Sequence, residues 1–457
     1  MSGRARLLVL AALLVTACSD FLTPGRGETS FSRIQSEVFD ARCVSCHSAG
    51  DQGARESGLI LTRGRAFDAL VGVRSRQATA RAEGLQLVMP GSPDSSFLLH
   101  KLYWEPGHHA SDYGTLMPLG GEPLSVGKVE YIRRWIASGA SRGGDSIDTG
   151  LLADSVPQSL VPFVAPAPPM KGVQLHVERF NVAPQFEREL FVYRRLENAA
   201  PIYVNRVDIS MRANSHHFVI YSFQPDIPST IVPPFDVIRD IRRPDGSLDF
   251  LAIRPMEFHI FFGGSMTAMT SWQLPPGVAL RLPAGSALDL NAHYVNRTDA
   301  QLSGEVYANL FAVDSADVTH VAQSLFLSNT SLVLPPGQRT TLSKTFTFSQ
   351  DVRLFSLSSH MHERGERFVI RINGGPRSGE IVFETNSWSS PDIVNFAVPI
   401  ELRAGEGLRS EITWNNTTSN TIRFGLTSQD EMGIIYGYYW CVATCGANPV
   451  SIMAGDR

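Results

Sequence analysis

The chain has 457 residues, of which 43% are hydrophobic and 18% charged, with a formal net charge of −4. This composition excludes an intrinsically disordered chain, and without a long basic run there is no electrostatic support for nucleic-acid binding. The length accommodates about three domains of ordinary size. In chain order, Arg4 and Arg6 precede the apolar run Leu7 to Val15, which reads as an export leader. No later apolar stretch is long enough to span a bilayer.

The segment Val15-Thr16-Ala17-Cys18 resembles a bacterial lipobox. The resemblance implies removal of residues 1–17, diacylation of Cys18 and attachment to the membrane by lipid chains alone. The expected location is then an exported lipoprotein facing the periplasm or the cell surface; the alternative is an ordinary leader with an incidental cysteine. Ser19 in second place, rather than Asp, leans toward the outer membrane. Residues 18–30 are polar and carry Pro24, Gly25 and Gly27, as suits a tether.

Residues 31–145 mix helical patterns with glycine-rich loops. The clearest helix runs from Leu124 to Ile136, with Ser125 as N-cap, Val129, Ile132, Trp135 and Ile136 at helical spacing, and Gly139 at the stop. Cys43-Val44-Ser45-Cys46-His47 fits Cys-x-x-Cys-His. In that motif the two thiols, Cys43 and Cys46, bind one haem covalently and His47 becomes the proximal iron ligand. A redox Cys-x-x-Cys is the rival, but no strand leads into the motif. Met117, followed by Pro118, is the candidate distal ligand, with Met89-Pro90 the runner-up; the alternative is that Met117 only fills the core. His100, His108 and His109 read as loop or surface residues. The region resembles the small class I c-type cytochromes, so a small all-α domain is expected.

Residues 146–172 are proline-rich and linker-like. From Val173 onward, short alternating segments such as Phe218 to Tyr221, Ala287 to Asn291 and Phe368 to Ile372 lie between Pro/Gly turns. That pattern predicts antiparallel sheets. The stretch is long enough for two β-sandwich domains, over 173–325 and 326–457. With Cys18 assigned to lipid and Cys43 and Cys46 to haem, Cys441 and Cys445 remain as a disulfide in an oxidising compartment, or as two free thiols.

Histidines gather in three contexts within this β region: His216-His217, His293 in Asn291-Ala292-His293-Tyr294, and His360-Met361-His362. Residues two apart on a strand share a face, so His360 and His362 can grip one ion. Adjacent strand residues face opposite ways, so His216 and His217 can share an ion only at a bulge or strand end. Met432 adds a thioether, and two imidazoles with a thioether favour copper over zinc. His176, His259 and His320 lie outside these contexts and read as structural; the pair Asp430-Glu431 reads as a solvated turn.

The order His-His, then His in a His-Tyr-x-Asn setting, then His-x-His, then Met after acidic residues, resembles the copper type II ascorbate-dependent monooxygenases. This is the family of peptidylglycine α-hydroxylating monooxygenase and dopamine β-monooxygenase, and the likeness extends over about 173–445. It implies two jelly-roll-like sandwiches facing across a solvent cleft. It assigns His216, His217 and His293 to an electron-transfer copper, and His360, His362 and Met432 to an oxygen-binding copper. The implied activity is hydroxylation of an activated C–H bond of a small-molecule substrate by dioxygen. Ascorbate or another external reductant, or a periplasmic electron donor acting through the haem, would supply electrons. Peptide-amidating members carry an Arg two residues before the first His of His-x-His. Ser358 stands there in this chain, with Arg364 nearby, so a peptidylglycine substrate is not expected. The rival functions are a non-catalytic copper and haem electron-transfer or copper-binding lipoprotein, and a cytochrome carrying a sandwich that binds polysaccharide or a partner protein.

Overall fold

A computed structural model describes residues 28–104, 113–144, 147–159, 162–388, 391, 393–425, 430–445 and 450–452. The leader with Cys18, and the histidines His108 and His109, lie outside the described residues. No described helix is long and apolar enough to cross a membrane.

The N-terminal part is helical. Its longest helix is Val126–Ala137, capped by Ser125, whose Oγ accepts the Lys128 N–H at 3.3 Å. The helix buries Val129, Tyr131, Ile132, Trp135 and Ile136 against Ile34, Val38, Phe39, Leu70, Leu98 and Leu99. Each such apolar side chain taken from water stabilises the unit by about 1.5–3 kcal/mol before entropy is counted. Ser30–Ile34, the π-helical Gln35–Phe39 and Asp40–Arg42 run on as one helical stretch, while the other α-helices, Gln52–Ser57, Ala66–Leu70, Ala78–Ala82 and Phe97–Leu102, span six residues or fewer. Isolated bridges pair Val71 with Val88 and Arg74 with Gln86. A cytochrome c fold is not evident from this pattern of elements. Glycines with left-handed φ, such as Gly58 (+71°) and Gly72 (+74°), stop the helices early.

The first half of the proline-rich stretch does not hang free. The 3-10 turn Thr149–Ala153 packs on the long helix, where Asp154 Oδ2 accepts the Gly127 N–H at 2.7 Å. Gln158 is buried, donating to the carbonyls of Leu102 and Leu124 and accepting from the Trp104 N–H. Helical packing therefore continues past the expected boundary at 145.

The remainder is mostly antiparallel sheet. A nine-stranded sheet runs in the order Gly172–Val182, Leu302–Val313, Ile202–Met211, Val278–Leu282, His320–Ser328, Gly433–Cys441, Val352–Met361, Val394–Leu402, with Met269–Gln273 paired to Ile202–Met211. A five-stranded sheet, Ile238–Asp240, Phe186–Arg195, Ala287–Asn296, Ser215–Phe223, His259–Ser265, packs on its first half. A second five-stranded sheet, Ile381–Thr385, Gly365–Asn373, Gly407–Asn416, Gln338–Phe348, Val450–Ile452, packs on the other half.

Two β-sandwiches thus form, each around its own apolar core, but they share one sheet. The His320–Ser328 strand pairs in parallel with Val278–Leu282 on one side and antiparallel with Gly433–Cys441 on the other. It crosses the 325/326 boundary expected between separate domains. Phe355 and Tyr438 of the second half join the first core, and the Tyr438 hydroxyl donates to the Phe262 carbonyl at 2.7 Å. Cys441 and Cys445 form a disulfide, with Cα atoms 5.3 Å apart.

Candidate metal centres

His217 and His293 face each other across the ladder between the Ser215–Phe223 and Ala287–Asn296 strands. The register shifts between Ser215 and His217, just after Asn214 in left-handed conformation (φ +67°). The extra residue at the bulge turns His216 to the side that His217 occupies. The ligand nitrogens of His216, His217 and His293 all lie within 4.8 Å of one another, and the two Nδ1 atoms of the adjacent pair are 3.1 Å apart. Nitrogens each about 2.0 Å from one ion lie no more than about 4 Å apart, so a small inward movement closes the set.

The outer nitrogens are already engaged. The His217 Nε2–H donates to Asn291 Oδ1 at 2.8 Å, and Asn291 in turn donates to Glu189 Oε1 at 3.2 Å. The His293 Nε2–H donates to Glu187 Oε1 at 2.6 Å. The Nδ1 of His293 is buried with no partner, which is the state of a ligand nitrogen awaiting an ion. Burial holds His216 well below its ordinary pKa, with His293 and His217 adding to it, so this ring is a neutral donor. Burial alone would lower His293 too, but the carboxylates of Glu189 and Glu187 outweigh it and raise the pKa. Three imidazoles with two carboxylates behind them make a place for a cation.

His293 was reached from sequence, but its supporting partners Glu187, Glu189 and Asn291 were not. Residues two apart on a strand share a face, so Asn291 could have been linked to His293. The contribution of the neighbouring Phe186–Arg195 strand depends on pairing that no local pattern records.

His360 is the penultimate residue of the Val352–Met361 strand and His362 follows its end; their rings are 5.0 Å apart and nearly perpendicular. The His362 Nδ1–H donates to the Asp430 carbonyl at 3.0 Å, which leaves Nε2 with its lone pair. Burial pushes His360 down to about 3, helped by His362 and His217, so this ring too is a neutral donor. Met361 pairs with Gly433, the residue after Met432, and Met432 is itself buried.

Glu431, expected in a solvated turn, is fully buried. Its carboxylate accepts the backbone N–H groups of His362 (2.9 Å), Arg364 (2.9 Å) and Met432 (3.2 Å), and the Trp414 indole N–H at 3.0 Å. Burial pushes Glu431 up to about 7 against the pull of these donors. Arg364 is turned inward, its Nη1 reaching the Asp430 carbonyl at 3.5 Å and Glu431 Oε1 at 3.9 Å. A buried carboxylate inside an apolar sandwich was not legible from the sequence, because an acidic pair next to a strand is far more often exposed.

In the helical unit the His47 Nδ1–H donates to the Leu59 carbonyl at 3.0 Å, leaving Nε2 free to bind a metal. A Cβ at residue 53 would sit 3.2 Å from that nitrogen, and Gly53 keeps the space clear. Cys43 and Cys46 are not bonded to each other. Burial pushes the Cys43 thiol up to about 12, unlike the lowered thiol of a disulfide-exchange motif. Met117 packs on the same core as Cys43 and Val44, whereas Met89 is not among the residues packed there. His100 bonds the Asp94 carbonyl at 2.9 Å.

The remaining described histidines are held by local contacts. His176 lies 3.2 Å from Glu305 and stacks on Tyr307, and His320 stacks on Trp440. His259 is buried, bonded to Asp289 at 2.9 Å and stacked on Tyr221.

The helical unit is braced against both candidate centres. Arg297, four residues past His293, places Nη1 3.1 Å from Cys46 Sγ, and its N–H donates to the Gly120 carbonyl at 2.7 Å. Arg55 pairs with Glu363, the residue after His362, at 3.3 Å.

The second sandwich carries a family likeness. Residues 324–453, about a quarter of the chain, match the family model described as copper type II ascorbate-dependent monooxygenase, C-terminal domain. The matched stretch includes His360, His362 and Met432, and the family is copper-dependent with ascorbate as reductant. A comparison with curated proteins finds no match. Among solved structures, the chain is similar to a protein of the Sulfolobus turreted icosahedral virus at 10% identity and TM-score 0.18, covering 58% of this chain and 61% of that one. It is also similar to the major capsid protein P2 of bacteriophage PM2 (8% identity, TM-score 0.23, 59% of this chain and 98% of that one). A third is peptide N-glycanase F (8% identity, TM-score 0.26, 61% and 98%).

Proposed function

We propose that the protein is an exported, lipid-anchored copper monooxygenase that hydroxylates an activated C–H bond, with electrons delivered through a haem c held by its N-terminal unit. The observation that carries this reading is the cluster of His216, His217 and His293, whose ligand nitrogens lie within 4.8 Å and whose His293 Nδ1 is buried without a partner. It shares a chain with a stretch similar to the C-terminal domain of copper monooxygenases.

In this reading His216, His217 and His293 hold one copper, and His360, His362 and Met432 hold the other. Cys43, Cys46, His47 and Met117 hold the haem. Bound copper supplies one-electron steps and a position for dioxygen, and the haem supplies electrons. The protein's own groups do the positioning. Asn291 and Glu187 fix the rings of His217 and His293 by their outer nitrogens. Glu431 holds the backbone on either side of the second set, and burial keeps His360 unprotonated. Support for the relay comes from the Arg297 contact with Cys46, at the end of the strand carrying His293. Support for export comes from the leader and lipobox and from the Cys441–Cys445 disulfide.

No arginine stands at position 358 to meet a substrate carboxylate, since Ser358 is there and Arg364 turns toward Asp430 and Glu431, so a peptidylglycine substrate is not expected. The test is the full chain matured with haem and copper. Two coppers and one haem per chain are expected, together with incorporation of labelled oxygen from dioxygen into a C–H donor. Ferrous haem should reduce the first copper without ascorbate. Chains that bind no copper, or that hold it but never transfer oxygen, would end the proposal.

A further inference from the structure

A cavity of about 690 Å³ opens beside the first sandwich, at the Ile238–Asp240 edge strand and the loop after it. Its wall carries Arg188, Arg239, Arg242 and Arg243. Three of these cations have partners. Arg188 forks onto Asp240 at 2.6 and 3.0 Å, Arg239 Nη2 meets Asp289 at 2.5 Å, and Arg243 meets Asp249 at 3.5 Å. Asp289 is shared, because it also accepts from His259. Arg242 forms no ion pair among the described residues.

The hydrogen-bond account shows the same shortfall. The Nε and Nη1 groups of Arg239 and the Nε of Arg242 are buried and have no acceptor. Buried donors left unmade cost about 1–3 kcal/mol each, and more when charged. The wall between the arginines is apolar, with Phe186, Leu251 and Ala252. Leu251 is 82% exposed and offers an apolar surface at the mouth.

We infer that this cavity is a binding site for a small organic anion whose carboxylate-type head meets Arg239 and Arg242 and whose apolar body lies on Phe186 and Leu251. Guanidinium groups present paired N–H donors that match a planar carboxylate, and the volume falls within the range of small-molecule sites. The inference does not depend on copper or haem. It does bear on the first metal centre, since the Arg242 charge acts on both Glu187 and His293. An anion bound there would offset that charge.

The test is calorimetric titration of the full chain, free of added metal, with benzoate, benzyl alcohol and inorganic phosphate. Benzoate is expected to bind at least tenfold more tightly than either of the other two. Arg242→Gln is expected to weaken benzoate about tenfold, a change of about 1.4 kcal/mol. Arg242→Lys, which keeps the charge but loses the fork, should fall between. Equal binding of benzoate and benzyl alcohol by the wild-type chain would overturn the proposal without any variant. So would unchanged benzoate affinity in a folded Arg242→Gln protein. Phosphate binding as tightly as benzoate would overturn the organic character of the ligand.

Discussion

The side-chain carboxylate of Glu431 accepts the backbone N–H of His362 at 2.9 Å. The same oxygen accepts the Met432 N–H at 3.2 Å and the Trp414 indole N–H at 3.0 Å. One buried group therefore fixes the backbone of two proposed copper ligands that are 70 residues apart in sequence.

Glu431→Ala leaves four N–H donors without their acceptor. At about 1–3 kcal/mol for each unsatisfied buried group, and with less than full additivity, the loss should be of the order of 3 kcal/mol or more. The expected result is a lower thermal midpoint and loss of copper from the second centre alone. Glu431→Gln, which keeps one accepting oxygen, should lose less. A Glu431→Ala protein with wild-type midpoint and full metal content would refute the role given to this carboxylate.

Copper stoichiometry separates the two centres. His293→Ala and His360→Ala should each lower bound copper from two ions to one, and the double variant should bind none. Metal analysis with electron paramagnetic resonance reads this directly. If His293→Ala still holds two ions, the first cluster is not a metal site.

Asn291 touches no proposed ion, yet it orients His217 by accepting from its Nε2. Loss of such a supporting partner typically weakens metal binding by about 10–100-fold. Asn291→Ala should therefore lower copper affinity at the first centre while leaving the second unchanged, as read by competition with a chelator.

Met117 and Met89 are distinguished by redox potential. A thioether ligand raises haem potential, so Met117→Ala should lower it and Met89→Ala should not. Spectroelectrochemistry gives the answer; a potential that responds only to Met89 would reassign the distal ligand.

Glu130 gives a pH signature in the helical unit. Hydrogen bonding from Arg133, with Arg134 adding to it, lowers its pKa from 4.5 to about 2. A lowered carboxyl stabilises the folded state above its unfolded pKa, and that contribution is lost as pH falls through about 2. Both arginines are well exposed, so each pair contributes only about 0.3–0.5 kcal/mol. Glu130→Gln should be slightly less stable than wild type at pH 7, and the two should converge toward pH 2. Helical circular dichroism during thermal unfolding checks this, and a gap that persists unchanged at pH 2 would contradict it.

How much was legible follows from the range of each signal. The Ser125-capped helix, the alternating strands and the need for a bulge at His216-His217 are local patterns, and the structure contains each of them. The partners Glu187 and Glu189 come from a strand whose register against His293 is set by tertiary pairing. Glu431 is acidic and next to a turn, and only its enclosure beside Trp414 distinguishes it from a surface residue. The strand His320–Ser328 reads as an ordinary alternating segment, and nothing in it records that it will be shared.

That shared strand has a consequence for any chemistry that links the two histidine groups. Separate domains on a flexible joint would let the gap between them open and close. Here the halves are stitched by three backbone pairs between Val278–Leu280 and His320–Ala322, and by Tyr438 reaching Phe262. The span between the groups is thus set like a ruler by the ladder of strands, and in the proposed enzyme an electron crossing it would meet the same width on every turnover.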